Sequence, residues 1–401
     1  MATHRYHLHR KMHTKAPGFG IIYPLSIIFV LHTLLVAYIH STFMEQYVST
    51  EGVGLLFSVS SALAILVFLF FSYALRAVGN VKLTLILACL DFLSLVVLGF
   101  TETAATAIVA FILFTTVNPI LFLNIDIFSE SLIGDDESGT GSKRGLVLTL
   151  MGIAGVVGPL ITGFIAGTSE GEGLRTVYYA AAISFIPFIL IVLLKFRNFV
   201  DPQYHTHKVS NTIYKLWHIP DIRNVLLAHL TLQMFFAWAT IYIPLYLATE
   251  LNYSWEAIGS IMAVALLGYV FIEYPAGYAA DKWWGEKELM AIGFLILALS
   301  TASIAFAGVA TVTTWMLIMF MTRVGAALVE ATTESYFFKH TKGDDAEVIS
   351  FFRLLRPLAR LLGALLGAAA ILYLPFNLIF IVLAFAMVPG IFFTIALHDT
   401  K

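Results

Sequence analysis

Twelve apolar stretches, each long enough to cross a bilayer, fill almost the whole of this 401-residue chain, which leaves few folds open to it. A helix crossing a hydrocarbon core about 30 Å thick needs about 20 mostly apolar residues, because where no water reaches every backbone polar group must be paired within the segment. Such stretches run near 21–43, 52–76, 81–100, 103–131, 145–168, 174–195, 223–249, 256–280, 289–309, 312–337, 346–373 and 376–397. With 59% hydrophobic residues, 12% charged residues and a mean hydropathy of +0.88, the chain lacks the polar surface of a water-soluble globule. The expected fold class is therefore an all-α membrane protein of twelve transmembrane helices.

Orientation follows from lysine and arginine, which resist translocation. Apart from Arg175, and from Arg323, Arg353, Arg356 and Arg360 within the spans, every basic residue falls in the N-terminal tail, the even-to-odd links or the C-terminus. Both termini are thus expected on the cytoplasmic face of the cell membrane, with the first span retained as an anchor. The one cysteine, Cys89, allows no intramolecular disulfide and no thiolate metal cluster. No basic block resembles a nucleic-acid surface, and His-Glu-x-x-His and the phosphate-binding loop are both absent. The tail histidines His4, His7, His9 and His13 read as solvated rather than as a metal site, since nothing fixes their geometry. The chain is accordingly expected to be no enzyme, to need no cofactor, to bind no nucleic acid and to work as a monomer in the lipid bilayer.

Sliding the sequence on itself by about 205 residues aligns Glu45 with Glu250, Glu51 with Glu256, Gly54 with Gly259 and Lys82 with Lys287. Asp126 and Glu130 then fall on Glu330 and Glu334, and Arg144 on Arg353 after a small insertion. Two six-helix bundles in parallel repeat follow, with a tail at 1–20, bundles at 21–197 and 221–401, and a cytoplasmic link at 198–220 that could carry a short amphipathic piece around 213–217.

The link after the eighth span, Gly277-Tyr-Ala-Ala-Asp281-Lys282-Trp-Trp-Gly285-Glu-Lys287, resembles the conserved loop of the major facilitator superfamily, usually Gly-x-x-x-Asp-Arg-x-Gly-Arg-Arg. Twelve spans, two halves and a cytoplasmic hinge extend that resemblance over the chain. Two departures stand out. One extra residue separates Asp281 from Gly285, and the first-half copy has Arg76 where the family carries its aspartate. The glycines of the fifth span, Gly152, Gly155, Gly158 and Gly163, and the small face Ala359, Gly363 and Gly367 of the eleventh, are expected to pack against helices of the other half.

A charge at the bilayer centre costs at least about 2.5–3.5 kcal/mol, so each should face protein or water and have a partner. Arg323, Glu330 and Glu334 share a stripe of the tenth span, and Arg353, Arg356 and Arg360 a stripe of the eleventh. In the first half Asp126 and Glu130 share a face of the fourth span, with Arg144 opening the fifth. These groups read either as static neutralisation between helices or as a gate that, with Asp281 and Lys282, forms and breaks as a cavity changes sides; direct contact with a solute is a third possibility. Candidates for proton coupling are Asp91, Glu273, Glu330, His32 and His229. Mid-membrane groups on the spans that the resemblance makes cavity-lining are His32, Tyr38, Asn118, Gln233, Trp238, Tyr242 and Arg323. Arg323 would favour an anionic solute if Glu330 does not consume it. The resemblance implies a secondary transporter of a small solute working by alternating access, coupled to protons. A passive facilitator and a non-transporting receptor or scaffold of the same fold are the alternatives.

Overall fold

The computed structural model describes residues 17–133, 140–167, 172–204, 217–340 and 346–398. Most of the link between the halves, including 213–216, and the tail histidines lie outside these residues. The spans are α1 (Ile22–Ala37), α2 (Thr50–Val78), α3 (Asn80–Phe100), α4 (Ala104–Ile133), α5 (Thr140–Gly167), α6 (Gly173–Lys195), α7 (Pro220–Leu245), α8 (Trp255–Ala279), α9 (Glu286–Ala307), α10 (Val312–His340), α11 (Ala346–Tyr373) and α12 (Ile379–Ile395). A short helix, His40–Glu45, continues α1 after a break. All twelve are long and apolar enough to cross a membrane, so the protein is a multi-pass membrane protein. Twelve crossings put the two chain ends and the inter-half link on one face, called here the tail side.

The two halves are built on the same plan. In the first, α1 packs on α5 and α6, α2 on α4, and α3 on α4 and α6; the second repeats each contact six helices later, α7 on α11 and α12, α8 on α10, and α9 on α10 and α12. The most extensive contacts between the bundles are α2 with α11 and α5 with α8, and the short helix His40–Glu45 also packs on α7. Small devices recur at the same offset. Ser49 Oγ accepts from the Gly52 amide at 3.4 Å to open α2, and Ser254 Oγ accepts from the Ala257 amide at 3.3 Å to open α8. The hydroxyl of Tyr47 donates to the Thr101 carbonyl, and that of Tyr253 to the Ala310 carbonyl, tying the end of each first helix to the loop after its third.

The turns α2–α3 and α8–α9 are the third such pair. Gly79 and Gly285 adopt φ values of 81° and 86°, a region that a Cβ disfavours. The extra residue between Asp281 and Gly285 is absorbed by a π-helical turn over Ala280–Trp284, which lets the chain reach the same left-handed glycine one residue later. In the first half Asp201 Oδ1 accepts from the Asn80 amide at 2.8 Å, so a carboxylate from beyond α6 caps α3. A Cβ on Gly79 would lie 2.5 Å from Asp201 Oδ2. Gly79→Ala should therefore cost about 1–2 kcal/mol from the backbone conformation alone and lower the melting temperature in detergent; an unchanged melting temperature would mean that the turn does not need glycine.

The bundles meet most closely on the side opposite the tails. A Cβ placed on Gly259 of α8 would stand 2.4 Å from the Pro159 carbonyl oxygen and 2.9 Å from Gly163 Cα. Here the backbones themselves touch, as small residues permit. The expectation for the small residues holds in part. Gly152 and Gly163 face α8 of the other half, whereas Gly155 and Gly158 pack on Leu34 of α1, and Gly363 and Gly367 pack on Trp238 and Tyr242 of α7 within their own half. In α11 it is Ala364 and Ala368, beside those glycines, that meet Gly54 of α2.

Candidate functional site

Three spans of the first half converge at mid-depth on one buried polar cluster. His32 of α1 and Asp91 of α3 are both fully buried, and the imidazole Nε2–H donates to Asp91 Oδ2 at 3.1 Å. Asn118 of α4, one residue before the helix-interrupting Pro119, donates to Asp91 Oδ1 at 3.3 Å and to Thr33 Oγ1 at 3.1 Å. The His32 ring stacks on Phe185 of α6 with centroids 3.9 Å apart, which leaves the buried Nδ1 without a hydrogen-bond partner. Asp91 thus has a hydrogen bond to adjacent helices, as a buried carboxyl in an apolar surround requires.

The second half has its own buried chain. Gln233 Nε2 donates to His229 Nε2 at 3.1 Å, His229 Nδ1–H donates to Thr333 Oγ1 at 3.3 Å, and Thr333 donates to the Glu330 carbonyl at 3.1 Å. A neutral imidazole satisfies both of its own bonds, because one ring nitrogen accepts and the other donates. Trp238 and Tyr242 are fully buried rather than lipid-facing. Their polar atoms donate to the Gly363 and Ala364 carbonyls at 2.7 and 2.8 Å, so both residues fasten α7 to α11. Pro357 interrupts α11 further toward its tail-side end.

The charged residues sort by depth. Toward the tail side, Arg353 of α11 forms an ion pair with Asp126 of α4, a bridge between the two bundles. Arg356, one turn deeper, lies 3.7 Å from Glu330 of α10 within the second half. Sequence spacing suggested Arg144 as the neighbour of Asp126; the side chains of Arg144 and Asp281 lie outside the described residues, and the observed partner comes from the other bundle. Glu334 lies beside Glu330 on α10, and Glu273 of α8 senses both carboxylates. Glu130 is exposed one turn below Asp126, and Lys282 sits over the Tyr278 ring at 4.6 Å.

Nearer mid-depth, Arg323 of α10 is not consumed by Glu330. Its guanidinium lies over the Phe235 ring at 5.1 Å and donates to Thr322 Oγ1 at 3.2 Å. Arg360 of α11 reaches across to α2, where it lies over the Phe57 ring at 5.5 Å. Tyr38 of the first half and Tyr269 of the second complete the central layer, and the Tyr269 hydroxyl is buried without a hydrogen-bond partner. Sequence reasoning passed over Tyr269, Phe235, Phe57 and His40. A signal existed only for His40, a second histidine two turns beyond His32 on the same continuing helix.

At the far end, outside the spans, Glu45 accepts from Thr50 Oγ1 at 2.6 Å. Burial pushes its carboxyl above the ordinary range, the Thr50 hydroxyl opposes this, and the charge of Glu250, its repeat counterpart, adds to it.

Residues 225–401 match the family model of the Major Facilitator Superfamily. No curated protein matches the sequence. Among solved structures, the chain is similar to a protein from a study of substrate recognition in proton dependent oligopeptide transporters, with a TM-score of 0.74 and 12% identity over 94% of this chain and 97% of the other. A POT family transporter in complex with 5-aminolevulinic acid gives a TM-score of 0.77 at 12% identity, covering 94% of each chain. The nucleoside transporter NupG gives 0.70 at 13% identity over 94% of this chain and 99% of the other.

Proposed function

We propose, on the premise that residues 225–401 belong to the major facilitator superfamily and that the whole chain has that superfamily's fold, that the protein is a proton-coupled secondary transporter of a small solute. It works by alternating access and lies in the cell membrane with both termini cytoplasmic. The bundles 21–197 and 221–401 are its two moving bodies, joined by the link at 198–220.

The observation that carries this reading is the ion pair between Asp126 and Arg353, on different bundles and on the tail side. A static helix pair inside one bundle needs no such bridge. A contact that must form when the tail side closes and break when it opens does. Glu330 and Arg356 stand next to it within the second half. Protonation of Glu330 would free Arg356, which gives a way for a proton to change the balance of charges at the bridge. The same side chains would serve a passive facilitator if none of them titrates.

Proteoliposomes with an imposed pH gradient decide between these. Collapse of the gradient on adding solute supports coupling, while uptake indifferent to the gradient favours the facilitator. For the bridge, Asp126→Arg and Arg353→Asp should each reduce transport at least tenfold, and the exchanged double variant should regain most of it. Equal loss in the double variant would remove the pair from the gate.

A further inference from the structure

Two arginines at mid-depth, Arg323 packed on α7 and α8 and Arg360 on α2, stand without an ion-pair partner. Arg323 is 3% exposed and Arg360 is partly buried, and among the described residues neither lies within ion-pair distance of an acid. The nearest acid on the same stripe, Glu330, is two turns from Arg323 and lies closer to Arg356. The arginines flank one stretch of α7. Phe235 lies under Arg323, and the carbonyl of the preceding Met234 faces Gly363, one turn beyond Arg360. Each guanidinium has an aromatic ring on its face, which leaves its in-plane N–H donors available, and Arg323 spends one of its five on Thr322.

Two polar atoms beside them are also unused. The Tyr269 hydroxyl is buried, has no hydrogen-bond partner and lies among Glu330, Arg323 and Glu273. His40, 4% exposed, uses Nδ1 on the Tyr178 hydroxyl, keeps a buried, unpartnered Nε2 and lies in the field of Arg360. A layer between two bundles that holds two guanidiniums outside any ion pair and two orphaned polar atoms is complementary to an oxyanion, with Glu330 and Glu273 at its tail-side edge. Planar guanidinium forks match carboxylate and phosphate oxygens two at a time.

Resting on the transport reading above, the geometry points to a small organic anion, a carboxylate or a phosphate ester, as the solute, held between Arg323 and Arg360 and hydrogen-bonded by Tyr269 and His40. The site takes one molecule on the axis between the bundles, where contact with the short helix His40–Glu45, α8, α10 and α11 lets it draw both halves together.

The full chain in lipid nanodiscs is titrated with succinate, benzoate, inorganic phosphate and glucose 6-phosphate, and with succinamide, benzamide, glucose and choline as uncharged and cationic matches, while melting temperature is followed. The expected result is stabilisation by at least one anion and not by its uncharged match. Arg323→Gln and Arg360→Gln should each weaken that response at least tenfold in concentration. Arg323→Lys, which keeps the charge and loses the fork, should fall between. Stabilisation by uncharged or cationic solutes alone, indifference to all four anions, or an anion response unaltered in both glutamine variants would overturn the assignment. Uptake of an uncharged or cationic solute into proteoliposomes would do the same while leaving the transport reading intact. Anion binding lost in the variants, with no solute carried by the wild type, would support the site and remove transport.

Discussion

Replacing Asp91 by leucine should lower the stability of the protein by about 1–3 kcal/mol, the usual cost of leaving buried hydrogen-bonding groups unsatisfied. The reason is local. His32 is fully buried and stacked on Phe185, and its Nδ1 already lacks a partner, so loss of Asp91 leaves the ring only the long 3.5 Å contact from Asn118 Nδ2 to Nε2. Asn118 would lose its bond to Asp91 and keep that to Thr33. Asp91→Asn preserves the shape and an acceptor oxygen for His32, and should cost about 1 kcal/mol. Replacing both members, His32→Phe with Asp91→Leu, should recover much of the loss, because two apolar groups of similar shape leave nothing unsatisfied. Thermal melts in detergent with a double-mutant cycle check this. Leucine variants as stable as the wild type would show that the cluster is not a structural tie in the first bundle.

Gly259→Val should have the second large effect, and on function more than on stability. The added Cβ would meet the Pro159 carbonyl oxygen at 2.4 Å and Gly163 Cα at 2.9 Å, and both are backbone atoms that cannot swing aside. The helices α5 and α8 must separate, at a cost of about 1–3 kcal/mol for overpacking. Because this contact joins the bundles on the side opposite the tails, separation holds that side open. Transport should fall more than tenfold. A cysteine at Tyr38, introduced in a Cys89→Ser background, should become reactive to maleimide from that side. Unchanged labelling with normal transport would mean that the two bundles do not move apart along α5 and α8.

The spans were legible in the sequence because lipid imposes a length and a composition on every one of them, and the twelve observed helices fall within a few residues of the apolar stretches. The repeat was legible for the same reason, and caps such as Ser49 and Ser254 carry it into the structure. Partner choice was not legible. Helical spacing places Arg353, Arg356 and Arg360 on one stripe of α11, yet their neighbours come from α4, α10 and α2 in turn, because a stripe that lies between bundles meets a different helix at each depth. His32 and Asp91 were each visible as unusual, and only tertiary packing reveals that they are one cluster. The break of α1 before His40 and the π-helical turn at Ala280–Trp284 were hidden too, since neither changes the apolar content of its stretch.

In the proposed transport cycle the two bundles rock about a mid-depth site. Double electron–electron resonance in nanodiscs tests it most directly, with one spin-label pair at Val78 and Trp284 on the tail side and another at Glu102 and Val309 on the opposite side, all exposed positions in different bundles. On changing pH or adding a transported solute, the account predicts that one distance lengthens as the other shortens. Two distances that stay fixed, or that change in the same direction, would contradict it.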